Sequence, residues 1–104
     1  MLDKTKVREI ALKFAEEVIK VLNPEKIILF GSYVNGTPWE YSDIDIAVVM
    51  NGYQGNRRKT ASMLYGLRRQ VSFDIEPHLL DESCDRSGFL EHVKKTGEVI
   101  YEAT

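Results

Sequence analysis

Four consecutive apolar residues at positions 27–30 (Ile-Ile-Leu-Phe) impose the strongest condition on the fold. They are rich in strand-forming side chains and are bounded by Asn23-Pro24 and Gly31, so they predict a short strand. Successive side chains of a strand point to opposite faces of its sheet. A strand that is apolar at every position is therefore expected to be covered on both faces.

Helical periodicity marks three further segments. In the first, apolar residues recur at helical spacing between charged ones: Val7, Ile10, Ala11, Phe14, Val18 and Val21. This pattern is typical of a surface helix with one buried stripe, and Asn23-Pro24 is expected to end it. Residues 57–69 and 85–96 also predict helices, and Gly97 is a typical residue at a helix end.

Two other segments alternate apolar and polar residues, as half-covered strands do. In residues 43–49 the alternation puts Asp43 and Asp45 on one face of the strand. In residues 72–80 one face carries the polar side chains Ser72, Asp74, Glu76 and His78. The opposite face of that segment carries Phe73, Ile75 and Leu79. Pro77 has no N–H to donate and predicts that this strand lies at an edge of the sheet.

A short strand is also expected at residues 99–101. The resulting order of elements indicates an α/β (α+β) fold in which helices pack against a small mixed β-sheet. The chain has 104 residues, fewer than the ~150 of a typical domain, so we expect residues 1–104 to form a single domain.

Composition narrows the classes of protein that remain. Fourteen Lys and Arg against sixteen Asp and Glu leave a net charge of −2, which argues against a nucleic acid partner held by bulk charge. The single cysteine, Cys84, cannot form an intramolecular disulfide. No stretch resembles a signal peptide or reaches the ~20 apolar residues of a membrane-spanning helix. We therefore expect a cytoplasmic protein without a membrane partner.

Gly31-Ser32 directly follows the first predicted strand. Glycine permits a tight turn, and the pair can present backbone N–H groups and a hydroxyl to an anion. The two residues are therefore a candidate phosphate-binding site. On its own, such a pair is more often a turn into a helix that the serine caps.

Asp43 and Asp45 are candidate metal ligands. Their Cα atoms are expected to lie ~6.5 Å apart on one strand face, close enough for both carboxylates to converge on one or two divalent cations. Asp74 is a candidate third carboxylate if its strand lies beside theirs, and Glu76 shares its predicted face. A solvated edge strand would show the same alternation, but the apolar run at 27–30 argues against that reading.

Together these residues resemble the signature of the polymerase-beta-type nucleotidyltransferases. The resemblance rests on Gly31-Ser32, a gap of ten residues, Asp43-Ile44-Asp45 and the later triplet Phe73-Asp74-Ile75. Within that superfamily the closest resemblance is to the minimal nucleotidyltransferase (MNT) group, and it extends over residues 89–101. It implies the nucleotidyltransferase fold for the whole chain.

The resemblance also implies an activity: transfer of a nucleoside monophosphate, AMP from ATP, to a hydroxyl, with release of pyrophosphate. By the same likeness, Gly31 and Ser32 would hold the distal phosphates of the nucleotide. Asp43 and Asp45 would bind the nucleotide and two Mg²⁺ ions, with Mn²⁺ as the alternative. Asp74 would ligate the second ion and help accept the proton, and we prefer it to Glu76 because its flanking residues match the triplet.

In the MNT group the acceptor is often a residue of an all-helical HEPN protein, with the pair acting as toxin and antitoxin. The resemblance therefore implies a HEPN-domain partner and a homo- or hetero-oligomer. Asn35 stands where the family often has arginine, which predicts weaker triphosphate binding. Two alternatives stay open: a catalytically weak binding module that neutralises a partner by occlusion, and transfer to a small molecule of aminoglycoside type.

Other polar residues admit simpler interpretations. A basic stretch without acidic residues is interpreted as a solvated helix face, rather than as a contact for triphosphate, an acidic partner or RNA: Arg57, Arg58, Lys59, Arg68 and Arg69. His78 and His92 lack ligand-spaced neighbours and are interpreted as surface or packing residues. Trp39 and Tyr41 are expected either to stack on a base or acceptor or to anchor their loop.

Overall fold

The computed structural model describes residues 3–35 and 43–103. Its helices are α1 (Lys4–Ile19), α2 (Ser32–Asn35), α3 (Arg57–Leu67) and α4 (Phe89–Thr96). Its strands are β1 (Lys26–Phe30), β2 (Ile44–Met50), β3 (Ile75–Asp81) and β4 (Glu98–Glu102). A 3-10 turn, Arg68–Gln70, follows α3. None of the helices in this described part has the length and apolarity that crossing a lipid bilayer requires.

The four strands form one mixed sheet in the order β3-β2-β1-β4. Strand β1 runs antiparallel to β2 and β4, whereas β2 and β3 are parallel. The apolar run at 27–30 thus lies in an interior strand, and Pro77 lies in an edge strand, as predicted. The α/β (α+β) fold class with a small mixed sheet is confirmed.

Each face of the sheet has its own apolar core. On one face, α1 and α3 cover side chains of β1, β2 and β3 that include Ile27, Leu29, Ile46 and Ile75. On the other face, α4 covers a smaller set: Ile28, Phe30, Ala47 and Val49, packed with Leu90 and Val93. Asp45 follows the alternation of Ala47 and Val49 and therefore lies on the α4 face.

Local capping determines where α1 begins. The Asp3 carboxylate accepts a hydrogen bond from the N–H of Lys6 at 2.8 Å, which satisfies one of the free donors of the first turn. The helix ends at Ile19, two residues before the predicted stripe does. Val21 is 51% exposed, so its assignment to the buried stripe was wrong.

Strand β3 begins three residues later than the alternation predicted. Residues 72–74 form a turn instead, in which the Ser72 hydroxyl accepts a hydrogen bond from the N–H of Asp74 at 3.1 Å. The guanidinium of Arg68 donates to the carbonyl of Ile75 at 3.1 Å and helps to hold that turn. Phe73, predicted to share a strand face with Ile75 and Leu79, is 68% exposed because it lies outside the strand.

Helix α4 also begins later than predicted, at Phe89 rather than near residue 85. The carboxylate of Asp85 accepts hydrogen bonds from the N–H groups of Leu90 and Glu91, each at 3.0 Å, so it caps the helix from outside. Gly97 ends α4 as predicted, and a Cβ there would lie 2.5 Å from Cγ2 of Ile28. The absence of a side chain lets the chain turn closely over β1.

Candidate active site

The site lies at one end of the sheet, where β1 ends and β2 and β3 begin. Gly31 follows β1 with a φ of +88°, in the left-handed region that glycine adopts without strain. A Cβ on Gly31 would lie only 2.3 Å from Oδ2 of Asp45. The predicted phosphate-binding pair and the first part of the predicted metal site are therefore in direct contact.

Strand register aligns three residues across this end of the sheet. Asp45 of β2 pairs with Phe30 of β1 on one side and with Glu76 of β3 on the other. Neighbouring strands lie ~4.8 Å apart, so the side chains of Asp45 and Glu76 emerge next to each other on the same face. Glu76, the alternative to Asp74 in the sequence, is thus the acidic residue that the sheet places beside Asp45.

Asp43 lies just before β2, two residues from Asp45, and its carboxyl group hydrogen-bonds to that of Glu76. This bond raises the pKa of Glu76 above its usual value, and partial burial and the negative charge of Asp43 add to the effect. The structure therefore concentrates acidic groups at Asp43, Asp45 and Glu76.

Asp74 occupies a different environment. Its carboxylate lies 3.5 Å from the Ser72 hydroxyl, and the residue lines a cleft of about 300 Å³ together with Lys6 and Lys13 of α1. The strand alternation that would have turned Asp74 toward Asp43 and Asp45 starts only at Ile75. The backbone carbonyl of Asp74 accepts a hydrogen bond from the N–H of Ile44 at 2.8 Å, so its main chain, rather than its side chain, joins β2.

The donor set suits a hard divalent cation. Carboxylate oxygens from Asp43, Asp45 and Glu76 are the ligands that Mg²⁺ and Mn²⁺ favour. In the described residues, however, no three His, Cys, Asp or Glu side chains converge on one metal position. Asp45 is oriented toward His78, while Asp43 and Glu76 contact each other. The backbone thus brings the three residues to one end of the sheet. Their carboxyl groups contact other residues of the chain there.

His78 is a residue of this site that the sequence interpretation missed. Its Nε2 lies 3.1 Å from Oδ1 of Asp45. The available signal was the alternation in residues 72–80, which put His78 on the same face as Glu76. His78 has no histidine or cysteine neighbour at metal-ligand spacing, and such spacing does not predict a hydrogen bond to a carboxylate on another strand.

Two residues of the basic stretch make contacts within the protein. Arg57 forms an ion pair with Asp81 at 3.3 Å, and Arg68 stacks over Tyr65 with its guanidinium 5.0 Å from the ring centre. The predictions for Trp39 and Tyr41 lie outside the described residues. The same holds for the side chain of Asn35.

Comparison with known proteins identifies the family. The family model for polymerase beta nucleotidyltransferases matches residues 12–104 of the chain. No curated protein sequence matches this chain. A candidate nucleotidyltransferase from Sulfolobus solfataricus shares its fold, with 24% identity over 95% of this chain and 83% of that one and a TM-score of 0.69.

Two solved toxin-antitoxin complexes contain similar chains. The first, solved with AMP-PNP, is 27% identical over 99% of this chain and 76% of that chain, with a TM-score of 0.59. The second, a double Asp-to-Glu mutant of MntA-HpeT, is 24% identical over the same shares, with a TM-score of 0.58. These likenesses and the family model confirm the resemblance drawn from the motifs: the chain belongs to the polymerase beta nucleotidyltransferase family.

Proposed function

We propose that the chain is a Mg²⁺-dependent nucleotidyltransferase that transfers AMP from ATP to a hydroxyl on a partner protein, and that it serves as the antitoxin of a HEPN toxin. The observation that carries the catalytic part is the alignment of Gly31, Asp45 and Glu76 at one end of the sheet, with Asp43 in contact with Glu76. This alignment places a turn that can bind phosphate beside three carboxylates.

Each element of the site has a proposed task. Backbone N–H groups and the hydroxyl at Gly31 and Ser32 bind the distal phosphates of the nucleotide. Asp43 and Asp45 hold the metal, and a bound divalent ion would neutralise phosphate charge and lower the pKa of the attacking hydroxyl. Glu76 takes the part of third carboxylate that the sequence assigned to Asp74, and helps to accept the proton of the acceptor.

The carboxylates need a cation for an electrostatic reason. Two unit charges 4 Å apart repel each other by about 1 kcal/mol in water and by ~4 kcal/mol at an effective dielectric constant of 20. The neighbouring Asp43, and more weakly Asp45, raise the pKa of Glu76, as this repulsion requires. A divalent cation bound among the three carboxylates would offset the repulsion between them.

The partner is inferred from the relatives. A toxin-antitoxin complex solved with AMP-PNP contains a chain that is 27% identical to this one, which supports both a nucleotide and a toxin partner. The HEPN assignment follows from the MNT resemblance of the motifs. The implied assembly is a hetero-oligomer, and the single cysteine is compatible with the cytoplasm.

The test is a labelling experiment with a candidate partner protein, Mg²⁺ and ATP labelled at the α-phosphate. The wild-type chain should fix the label on the partner, whereas the Asp43→Asn, Asp45→Asn double variant should not. ATP labelled at the γ-phosphate is the control for kinase activity and should leave the partner unlabelled.

Two other outcomes support the alternatives. Equal partner binding by the wild-type chain and the double variant, without label transfer, would contradict the catalytic proposal and support neutralisation by occlusion. Label on an added aminoglycoside, with none on protein, would support a small-molecule acceptor.

A further inference from the structure

His78 contacts the carboxylate on which the proposed metal site is centred. We propose that His78 is a positioning residue: it fixes the Asp45 carboxylate at the end of the sheet and leaves lone pairs of that carboxylate for a divalent cation. This inference rests on the proposed function of the same site and adds to it a residue outside the motifs. Three observations support it: the contacts of Asp45, the contacts of the His78 ring, and the positions of both residues on the sheet.

Each carboxylate oxygen of Asp45 has a close neighbour in the protein. Oδ1 lies 3.1 Å from Nε2 of His78, and because an ionised carboxylate only accepts hydrogen bonds, Nε2 is the donor. Oδ2 lies close to Gly31, so close that a Cβ there would be 2.3 Å away. Rotation of this carboxylate would break the hydrogen bond on one side, and Gly31 limits it on the other.

His78 is itself fixed in place. Its ring packs against the ring of Phe30, with centroids 5.1 Å apart, and against that of Phe89, with centroids 6.2 Å apart. Phe30 and Phe89 also contact each other edge to face at 5.8 Å. The imidazole therefore gives up little side-chain freedom when it donates to Asp45, and its side chain is only 28% exposed.

The sheet determines which residues meet at this point. His78 pairs with Ala47 in the parallel register of β2 and β3, two residues further along the strands than the pairing of Asp45 with Glu76. The imidazole thus reaches Asp45 from the interior side of the site. Its side chain and that of Glu76 lie on the same face of β3.

A restrained Asp45 matters because its neighbours repel it. An unrestrained carboxylate beside Asp43 and Glu76 would turn away from them, and a cation would have to pull it back at a cost in affinity. A carboxylate offers about four lone-pair positions, so one hydrogen bond at Oδ1 leaves others for a cation. Removing a residue that orients a metal ligand typically weakens metal binding by about 10-fold to 100-fold.

The experiment measures Mn²⁺ binding by calorimetry in the presence of AMP-PNP, alongside thermal unfolding. His78→Leu should weaken Mn²⁺ binding by roughly tenfold. His78→Gln should restore binding to within about threefold of the wild-type value, because its side-chain amide also donates a hydrogen bond. His92→Leu is the matched control, since His92 is exposed on α4, and it should leave binding unchanged.

The outcomes separate this inference from the proposed function. If His78→Leu is folded and binds Mn²⁺ as tightly as the wild-type chain, His78 does not position Asp45. If His78→Gln is as weak as His78→Leu, packing rather than the hydrogen bond is responsible, and the proposal is again wrong. If Mn²⁺ binding depends on His78 while the wild-type chain labels no acceptor, the positioning role stands and the transferase proposal fails.

Discussion

Gly31 meets two requirements that a larger residue cannot meet together. Its φ of +88° lies in the left-handed region, which costs other L-residues roughly 1–2 kcal/mol. The position of its missing Cβ is also occupied by the carboxylate of Asp45, at 2.3 Å. The glycine is thus required both by the turn after β1 and by the placement of Asp45.

Gly31→Ala should therefore destabilise the fold and also abolish nucleotidyl transfer. Gly52→Ala is a suitable control, because Gly52 has a φ of +70° but nothing lies within 4 Å of its missing Cβ. Gly52→Ala should lose about 1–2 kcal/mol in urea unfolding. Gly31→Ala should lose at least as much, because its Cβ also meets Asp45, and only Gly31→Ala should lose label transfer. Equal activity in the two variants would show that contact with Asp45 does not matter.

The third carboxylate can be assigned by comparing two conservative variants. Glu76→Gln should reduce label transfer by about a hundredfold or more, as expected for loss of a group that moves a proton in the reaction. Asp74→Asn should have little effect, because Asp74 lies with Ser72 and α1. The reverse result would return the role to Asp74, as the sequence predicts.

At the scale of elements, Asp81 fastens the loop after β2 to the end of β3. Its carboxylate accepts hydrogen bonds from the N–H groups of Gly52 at 2.9 Å and Tyr53 at 2.8 Å, and from the Ser83 hydroxyl at 2.6 Å. These bonds, that of Ser83 foremost, hold the pKa of Asp81 well below its usual 3.8. Burial of the carboxyl acts in the opposite direction and is outweighed.

This depressed pKa makes a prediction about acid stability. The ionised carboxylate stabilises the fold above the unfolded-state pKa of 3.8, and that stabilisation is lost as the pH falls toward the lower folded-state value. Asp81→Asn should therefore lower the free energy of unfolding at pH 7 by about 1–3 kcal/mol. The difference between variant and wild type should shrink below pH 4.

Urea unfolding at pH 7, 5 and 3 measures the effect. Arg57→Gln is the control, because it removes the ion pair with Asp81 but keeps the three hydrogen bonds described above. Arg57 is more than half exposed, so its loss should change stability by no more than about 1 kcal/mol. A difference between Asp81→Asn and wild type that is constant with pH would contradict the assignment.

Two strands show where a local sequence pattern is sufficient to predict an element and where it is not. The strand at 27–30 was predictable because four apolar residues between turn residues leave few alternatives. The start of β3 was not, because Ser72 and Arg68 form hydrogen bonds that turn residues 72–74 out of the sheet. That difference of three residues moves Asp74 away from the site and leaves Glu76 beside Asp45.

At the scale of the whole molecule, ligand binding at the site should stabilise the fold. A ligand present at a hundred times its Kd that binds only the folded state adds ~2.7 kcal/mol. For a domain of this size, each kcal/mol raises Tm by roughly 4–8 °C. Mg²⁺ with AMP-PNP should therefore raise the Tm of the wild-type chain by roughly 10 °C or more.

The Asp43→Asn, Asp45→Asn double variant should show no such shift. Thermal unfolding monitored by circular dichroism, with and without Mg²⁺ and AMP-PNP, measures it. Mg²⁺ alone and AMP-PNP alone are the controls for nonspecific stabilisation. An equal rise in Tm for both proteins would place nucleotide binding away from the two aspartates.

The sequence by itself determined the α/β fold, the place of Gly31 directly after a strand covered on both faces, and the alternation along β2 that sets the face of Asp45. Each of these depends on residues that are close in the chain: apolar runs, the alternation of a strand, and a turn that favours glycine. Only the tertiary structure decided the neighbours of Asp45. His78 is 33 positions away, and Glu76 reaches it through the parallel register of β2 and β3. Strand register and the packing of Phe30 against His78 depend on the whole assembled sheet, so no local pattern specifies them.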